Sequence, residues 1–177
     1  MESKVKLFGH PIHPMLIVLP LGLLSAAVVF DVVYLIVDDS IFSSVAFWNI
    51  AAGVVGGLLA AVFGALDWWH IPRDTRARRI GLLHGGGNVV VVVLFTLSWL
   101  LRLGQAGYEP SVLAYVLSFS GLALAAVTGW LGGELVDRLA VGVDEGANLD
   151  APSSLSGLPA DAGASSRRGT GSVTGRS

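Results

Sequence analysis

The sequence predicts an all-α integral membrane protein, an up-down-up-down four-helix bundle followed by a disordered C-terminal tail. Three observations predict it. Four apolar runs reach bilayer length. Charged residues make up only 14% of the chain, against about 25% in a soluble domain, and they cluster in the short stretches between those runs. From Glu145 onward, Gly, Ala, Ser and Pro take over and apolar periodicity ends. At 177 residues the chain is long enough for one domain. The four-helix domain is expected over residues 1–145 and the tail, on the same side as the N-terminus, over 146–177.

The first span is expected at about 15–37. Ser25-Ala26-Ala27 could suggest a signal-peptide cleavage region, but the apolar run continues to Val37, so it reads as an uncleaved span. Pro14 suits a first helical turn, with His13 at the cap. The second span is expected at about 45–69, the third at 80–101 and the fourth at 112–135. At ~1.5 Å rise per residue, each exceeds a ~30 Å hydrocarbon layer. Asp74 is placed to cap the third helix, and Gly142 lies near the end of the fourth. Short connections force neighbouring helices to run antiparallel. The tail cannot bury a core, which is why disorder is expected there.

Lys and Arg set the orientation. With four spans, the N-terminus, the middle loop and the tail share one side. That side carries ten of the eleven basic residues, and Arg102 is the exception. Both termini are therefore expected in the cytoplasm. Gly53, Gly57, Ala60, Gly64 and Asp67 form a small-residue stripe on the second span, and Gly121, Ala125, Gly129 and Gly132 one on the fourth. Such stripes let helix backbones approach in lipid, and they also suit a partner or a second copy of the chain.

With no cysteine, the chain can form no disulfide, thiolate metal site or Cys-ligated cluster. No hydrolase triad, phosphate loop or dinucleotide fingerprint is present, so nothing points to an enzyme acting by itself. The net charge of −2 says nothing about nucleic acid, and no basic domain face is left to bind one. Asp31 lies well inside the first span, where a carboxylate costs about 2.5–3.5 kcal/mol to insert at mid-membrane depth. Asn49, Ser98, Arg102 and Ser118 fall at comparable depth, and an outer polar cluster is expected.

All four histidines map to the cytoplasmic side. His84 is the deepest, and Asn88 follows it on the same helix face. His10 and His13 each precede a proline, which favours extended geometry and would let both imidazoles face one way. Asp67 and Glu134 lie at similar depth. Imidazoles and carboxylates are ligands of zinc and non-haem iron, and paired imidazoles are ligands of haem b. His13 and His84 are thus the candidate ligands of one haem b or one metal ion, with His10, Asp67 and Glu134 accessory. Asp31, Asn49, Asn88, Arg73 and Arg76 are read as structural polar residues. The outer half has no histidine, so a second haem has no site there. The competing reading is that these polar groups only fix helix ends, in an interaction or structural module with no cofactor.

Several segments together resemble one family. They are Gly9-His10-Pro11-Ile12-His13-Pro14, Phe30-Asp31, Asp67-Trp68, the stretch from Ile71 to Arg79, Gly81-Leu82-Leu83-His84, and Gly129 through Leu135. In this order they resemble the bacterial predicted membrane proteins of domain of unknown function 2231, over about residues 7–143. The resemblance implies a four-helix inner-membrane domain, with some members fused to or paired with Rieske-type iron–sulfur domains. A Rieske-type or cytochrome partner is therefore expected. His10, His13, Asp31, Asp67, Arg73, Arg76, His84 and Glu134 fall on motif positions. Where the family often has Tyr-Arg-His, this chain has Asp137-Arg138-Leu139 after Val136, and a potential imidazole is missing.

Overall fold

A computed structural model describes residues 1–162. Among the described residues, four helical segments are long and apolar enough to cross a membrane: Ile12–Val37, Ser40–His70, Arg76–Arg102 and Ala106–Arg138. The first comprises α1 (Ile12–Leu16) and α2 (Val18–Val37), which join at Ile17. Pro20 lies four residues after Leu16 and cannot donate to its carbonyl, a loss that accounts for the break. The others are α3 (Ser40–His70), α4 (Arg76–Arg102) and α5 (Val112–Gly133), the last continued by a π-helical turn, Glu134–Arg138.

Helix ends follow local chemistry. Asp39 caps α3 by accepting from the Ile41 amide at 3.0 Å. Thr75, not Asp74, caps α4, accepting from the Arg78 amide at 3.1 Å. Asp74 sits one residue too early, in a left-handed turn with φ of 65°. The C-terminus of α3 is closed by Arg78, which donates to the carbonyls of Trp68, Trp69 and Ile71 and stacks over the Trp68 ring at 3.9 Å. That satisfies orphan carbonyls and places a cation at the negative end of the helix dipole.

The entry segment departs from expectation. His10 lies in β2 (His10–Pro11), which pairs with β1 (Lys6–Leu7), whereas His13 is inside α1. Pro14 is the third helical residue, where its missing N–H has no intrahelical partner to lose. The two imidazoles therefore diverge instead of facing one way.

Leu24, Ala27, Val28, Ala46, Ile50, Val91 and Phe95 form the core. Small residues bring the helices close there, since lipid supplies no hydrophobic force between them. Val18, Ile36, Leu58, Val112 and many other large apolar side chains remain exposed around the outside, as a lipid-facing surface requires. The N-terminus folds back onto the end of the bundle. The Met1 ammonium donates to Ala140 O at 2.8 Å, and the Gly142 amide donates to Met1 O at 2.8 Å. Residues 146–162 are largely exposed turns with one short 3-10 turn, Ser154–Ser156. The part of the expected disordered tail over 163–177 lies outside the described residues.

Candidate functional site

Polar residues inside the spans gather in two layers near opposite ends of the bundle. One holds Asp31 and Arg102. Their side chains join through two parallel bonds, Nη1 to Oδ1 at 2.6 Å and Nη2 to Oδ2 at 2.7 Å, with both fully buried. Ser98 and Ser118 bond each other at 2.7 Å and lie within 3.4 and 3.3 Å of Arg102 Nη2. The expected cluster thus forms with Asp31, Ser98, Arg102 and Ser118. Asn49, half-buried on α3, makes no hydrogen bond to it.

The other layer holds His13 and His84. Their ring centroids lie 6.3 Å apart, with the ring planes perpendicular. His13 Nδ1 is 2.9 Å from Ala60 O, and His84 Nδ1 is 2.8 Å from Thr128 O. A carbonyl can only accept, so in each neutral ring Nδ1 carries the proton and Nε2 the lone pair. Glycines make this approach possible. A Cβ on Gly64 would lie 2.8 Å from His13 Cε1, and one on Gly132 3.0 Å from His84 Cε1. Each glycine sits one helical turn beyond the accepting carbonyl, beneath the ring. The Asn88 amide donates to His84 O at 2.9 Å and accepts from Thr128 Oγ1 at 3.0 Å.

The accessory candidates do not join this pair. Asp67 accepts from Ser3 Oγ at 2.6 Å. Glu134 pairs with Arg76 at 2.7 Å. His10 is exposed, with Nε2 3.3 Å from Ser154 Oγ. His70 bonds back to Leu66 O on its own helix. Equal depth did not bring these groups together, because Asp67 and Glu134 find partners in other directions around their helices and His10 lies in β2, outside them. Among the described residues no three His, Asp or Glu side chains are grouped to hold a metal ion. Arg73 lines an open surface hollow with Trp69, Asp74, Thr75, Arg78 and Arg79.

Sequence reasoning gave no site role to Ser3, Ala60 or Thr128. Two of them act through backbone carbonyls, which any residue type supplies. The only available signal was the small-residue stripe that exposes such carbonyls.

What the site can do chemically is limited by its donors. Two imidazole nitrogens suit an iron, zinc, copper or nickel centre, and among the described residues no third His, Asp or Glu joins them. With Nε2 about 2.0–2.1 Å from an ion, two imidazole centroids fall roughly 5–6.5 Å apart, depending on the angle at the metal. The observed 6.3 Å lies at the top of that range, where the angle at the metal is nearly linear; a tetrahedral angle gives roughly 5 Å.

No curated protein and no solved structure matches this chain. A family model does match, over residues 9–145, which include all four spans' polar positions. On that match the chain belongs to the family of predicted membrane proteins, domain of unknown function 2231.

Proposed function

We propose that this domain is a redox-associated membrane subunit that holds one haem b iron or one transition-metal ion between His13 and His84. One observation carries the reading: two half-buried imidazoles, 6.3 Å apart, each with Nδ1 bonded to a backbone carbonyl. That hydrogen bond orients the ring and raises the basicity of the other nitrogen, as the outer partners of metal-bound histidines do. The subunit would lie in a bacterial inner membrane with both termini in the cytoplasm, on the Lys and Arg asymmetry. A one-electron carrier of Rieske or cytochrome type would be its partner, since the chain offers one such site and no catalytic set.

The test is purification in mild detergent from a haem-competent host, with an absorption spectrum and metal analysis. A Soret band or about one stoichiometric metal, lost in both His13→Ala and His84→Ala, is expected. Colourless, metal-free protein with full helicity would overturn the reading.

A second reading is favoured by the same hydrogen bonds. His13 ties α1 to α3, and His84 ties α4 to α5. The pair would then be structural, in a non-catalytic module whose small-residue faces pack a partner or a second copy. On that reading both substitutions lower stability and change no bound species.

A further inference from the structure

The two consecutive helix pairs carry the same register. His13, Leu24 and Asp31 on the first are matched 71 positions later by His84, Phe95 and Arg102 on the third. The buried face of α2 is Leu24, Ala27, Val28 and Asp31, and three of its four equivalents, Phe95, Ser98 and Arg102, are buried in α4. The second and fourth helices agree more closely. Every residue buried in α5, namely Ala114, Ser118, Gly121 and Thr128, lies 68 positions after one buried in α3: Ala46, Ile50, Gly53 and Ala60.

The contacts repeat as well as the burial. His13 bonds the carbonyl of Ala60 with Gly64 beneath the ring, and His84 bonds Thr128 with Gly132 beneath it. Leu24 rests on Gly53, and Phe95 rests on Gly121. Equivalent positions also meet each other across the bundle. His13 faces His84, and Asp31 grips Arg102. Both helix pairs cross the layer in the same sense, so the axis relating them runs along the membrane normal. The two meeting points are 18 residues apart on each helix, or ~27 Å at the helical rise.

We infer that the bundle is two copies of one helical hairpin about a pseudo-twofold axis, and that Asp31–Arg102 is the device that makes the first hairpin accept the second. At the histidine end the axis carries identical residues, and at the other end complementary ones. The difference sets the partner. Pairing the first hairpin with a second copy of itself would bury carboxylate against carboxylate. Pairing the second with itself would bury guanidinium against guanidinium. Either arrangement leaves like charges unpaired in a medium without water, which disfavours it strongly. The face bearing Asp31 therefore fits a hairpin with a cation at the equivalent position, and this chain supplies one. The inference holds whether or not the histidine pair takes an iron.

Equivalence across the axis means that exchanging the two charges only relabels the hairpins. The full chain is purified in detergent, and the folded monomer is measured by size exclusion and denaturant unfolding. Asp31→Arg alone and Arg102→Asp alone should each lower the folding equilibrium constant by roughly a hundredfold or more. The exchange Asp31→Arg with Arg102→Asp should recover most of it. A fuller exchange adds Ala27→Ser, Ile50→Ser, Ser98→Ala and Ser118→Ile, so that the hydroxyls move with the guanidinium. Recovery in either exchange supports the inference. Single variants as stable as the parent, or both exchanges no better than the singles, would overturn it. Neither readout depends on a bound cofactor, so a colourless protein would leave this result intact.

Discussion

The Asp31 carboxylate and the Arg102 guanidinium form a two-bond fork, at 2.6 and 2.7 Å, between the first and third membrane spans, with neither side chain exposed. Each charge is unaffordable in the bundle without the other. The parallel geometry also fixes the relative rotation of the two helices, since a planar guanidinium meets a carboxylate this way in few orientations.

This relationship predicts an asymmetry between single and double substitution. Asp31→Asn or Arg102→Gln leaves an uncompensated buried group and should cost about 3–5 kcal/mol. Asp31→Leu with Arg102→Met removes both charges and should cost less than either single change. Unfolding in mixed micelles with a rising fraction of denaturing detergent measures all three. A double variant less stable than both singles would contradict the prediction.

The glycines under the histidines give a second prediction. Gly64→Ala places a methyl 2.8 Å from His13 Cε1, and Gly132→Ala one 3.0 Å from His84 Cε1. The rings are held by their carbonyl bonds and cannot swing away freely. Each change should therefore cost about 1–3 kcal/mol, with Gly64→Ala the larger. Gly22→Ala is the control, because nothing lies within 4 Å of the new methyl; it should be neutral or gain up to ~1 kcal/mol from helix propensity. The same unfolding assay ranks them, and imidazole nitrogen NMR shifts report whether the Nδ1 bonds survive.

The N-terminal fold-back predicts a pH dependence. The Glu145 amide and then the Lys6 ammonium hold the Glu2 carboxyl below its ordinary 4.5. Its contribution is complete above that value and is lost as pH falls through the lowered one. The hydrogen bond to Asp144 holds Lys6 above its ordinary 10.5, burial opposes it, and Glu2 adds a smaller upward push. That contribution is complete below 10.5 and is lost as pH rises through the raised value. Protection of the Glu145 and Gly142 amides, corrected for intrinsic exchange, should thus be flat between these limits. Glu2→Gln should lower Glu145 protection and remove its acid-side dependence. An unchanged acid limb would rule out Glu2 as its source.

Much of the fold was legible because a bilayer imposes length and polarity on each span. The four apolar runs and their order follow from that alone, and so does the need of Asp31 for a partner. Helix starts were read less well. Thr75 caps α4 where Asp74 was expected, and His13 is helical where extended backbone was expected. Asp74 and Thr75 are adjacent side chains that can both cap, so local chemistry does not choose between them, whereas α1 starts after Pro11 with no side-chain cap.

Depth along the membrane normal is written in the sequence, because each residue advances a helix by a fixed rise. Direction around the helix, relative to a neighbour, is not. The sequence by itself determined four spans and the depths of Asp31, Arg102, His13, His84, Asp67 and Glu134. Only the tertiary structure decided that Arg102 reaches Asp31, that His13 faces His84, and that Asp67 turns to Ser3 and Glu134 to Arg76. The physical reason is that partners are chosen by helix rotation. Rotation is set by where small residues such as Gly53, Gly64, Gly121 and Gly132 let one helix settle against another.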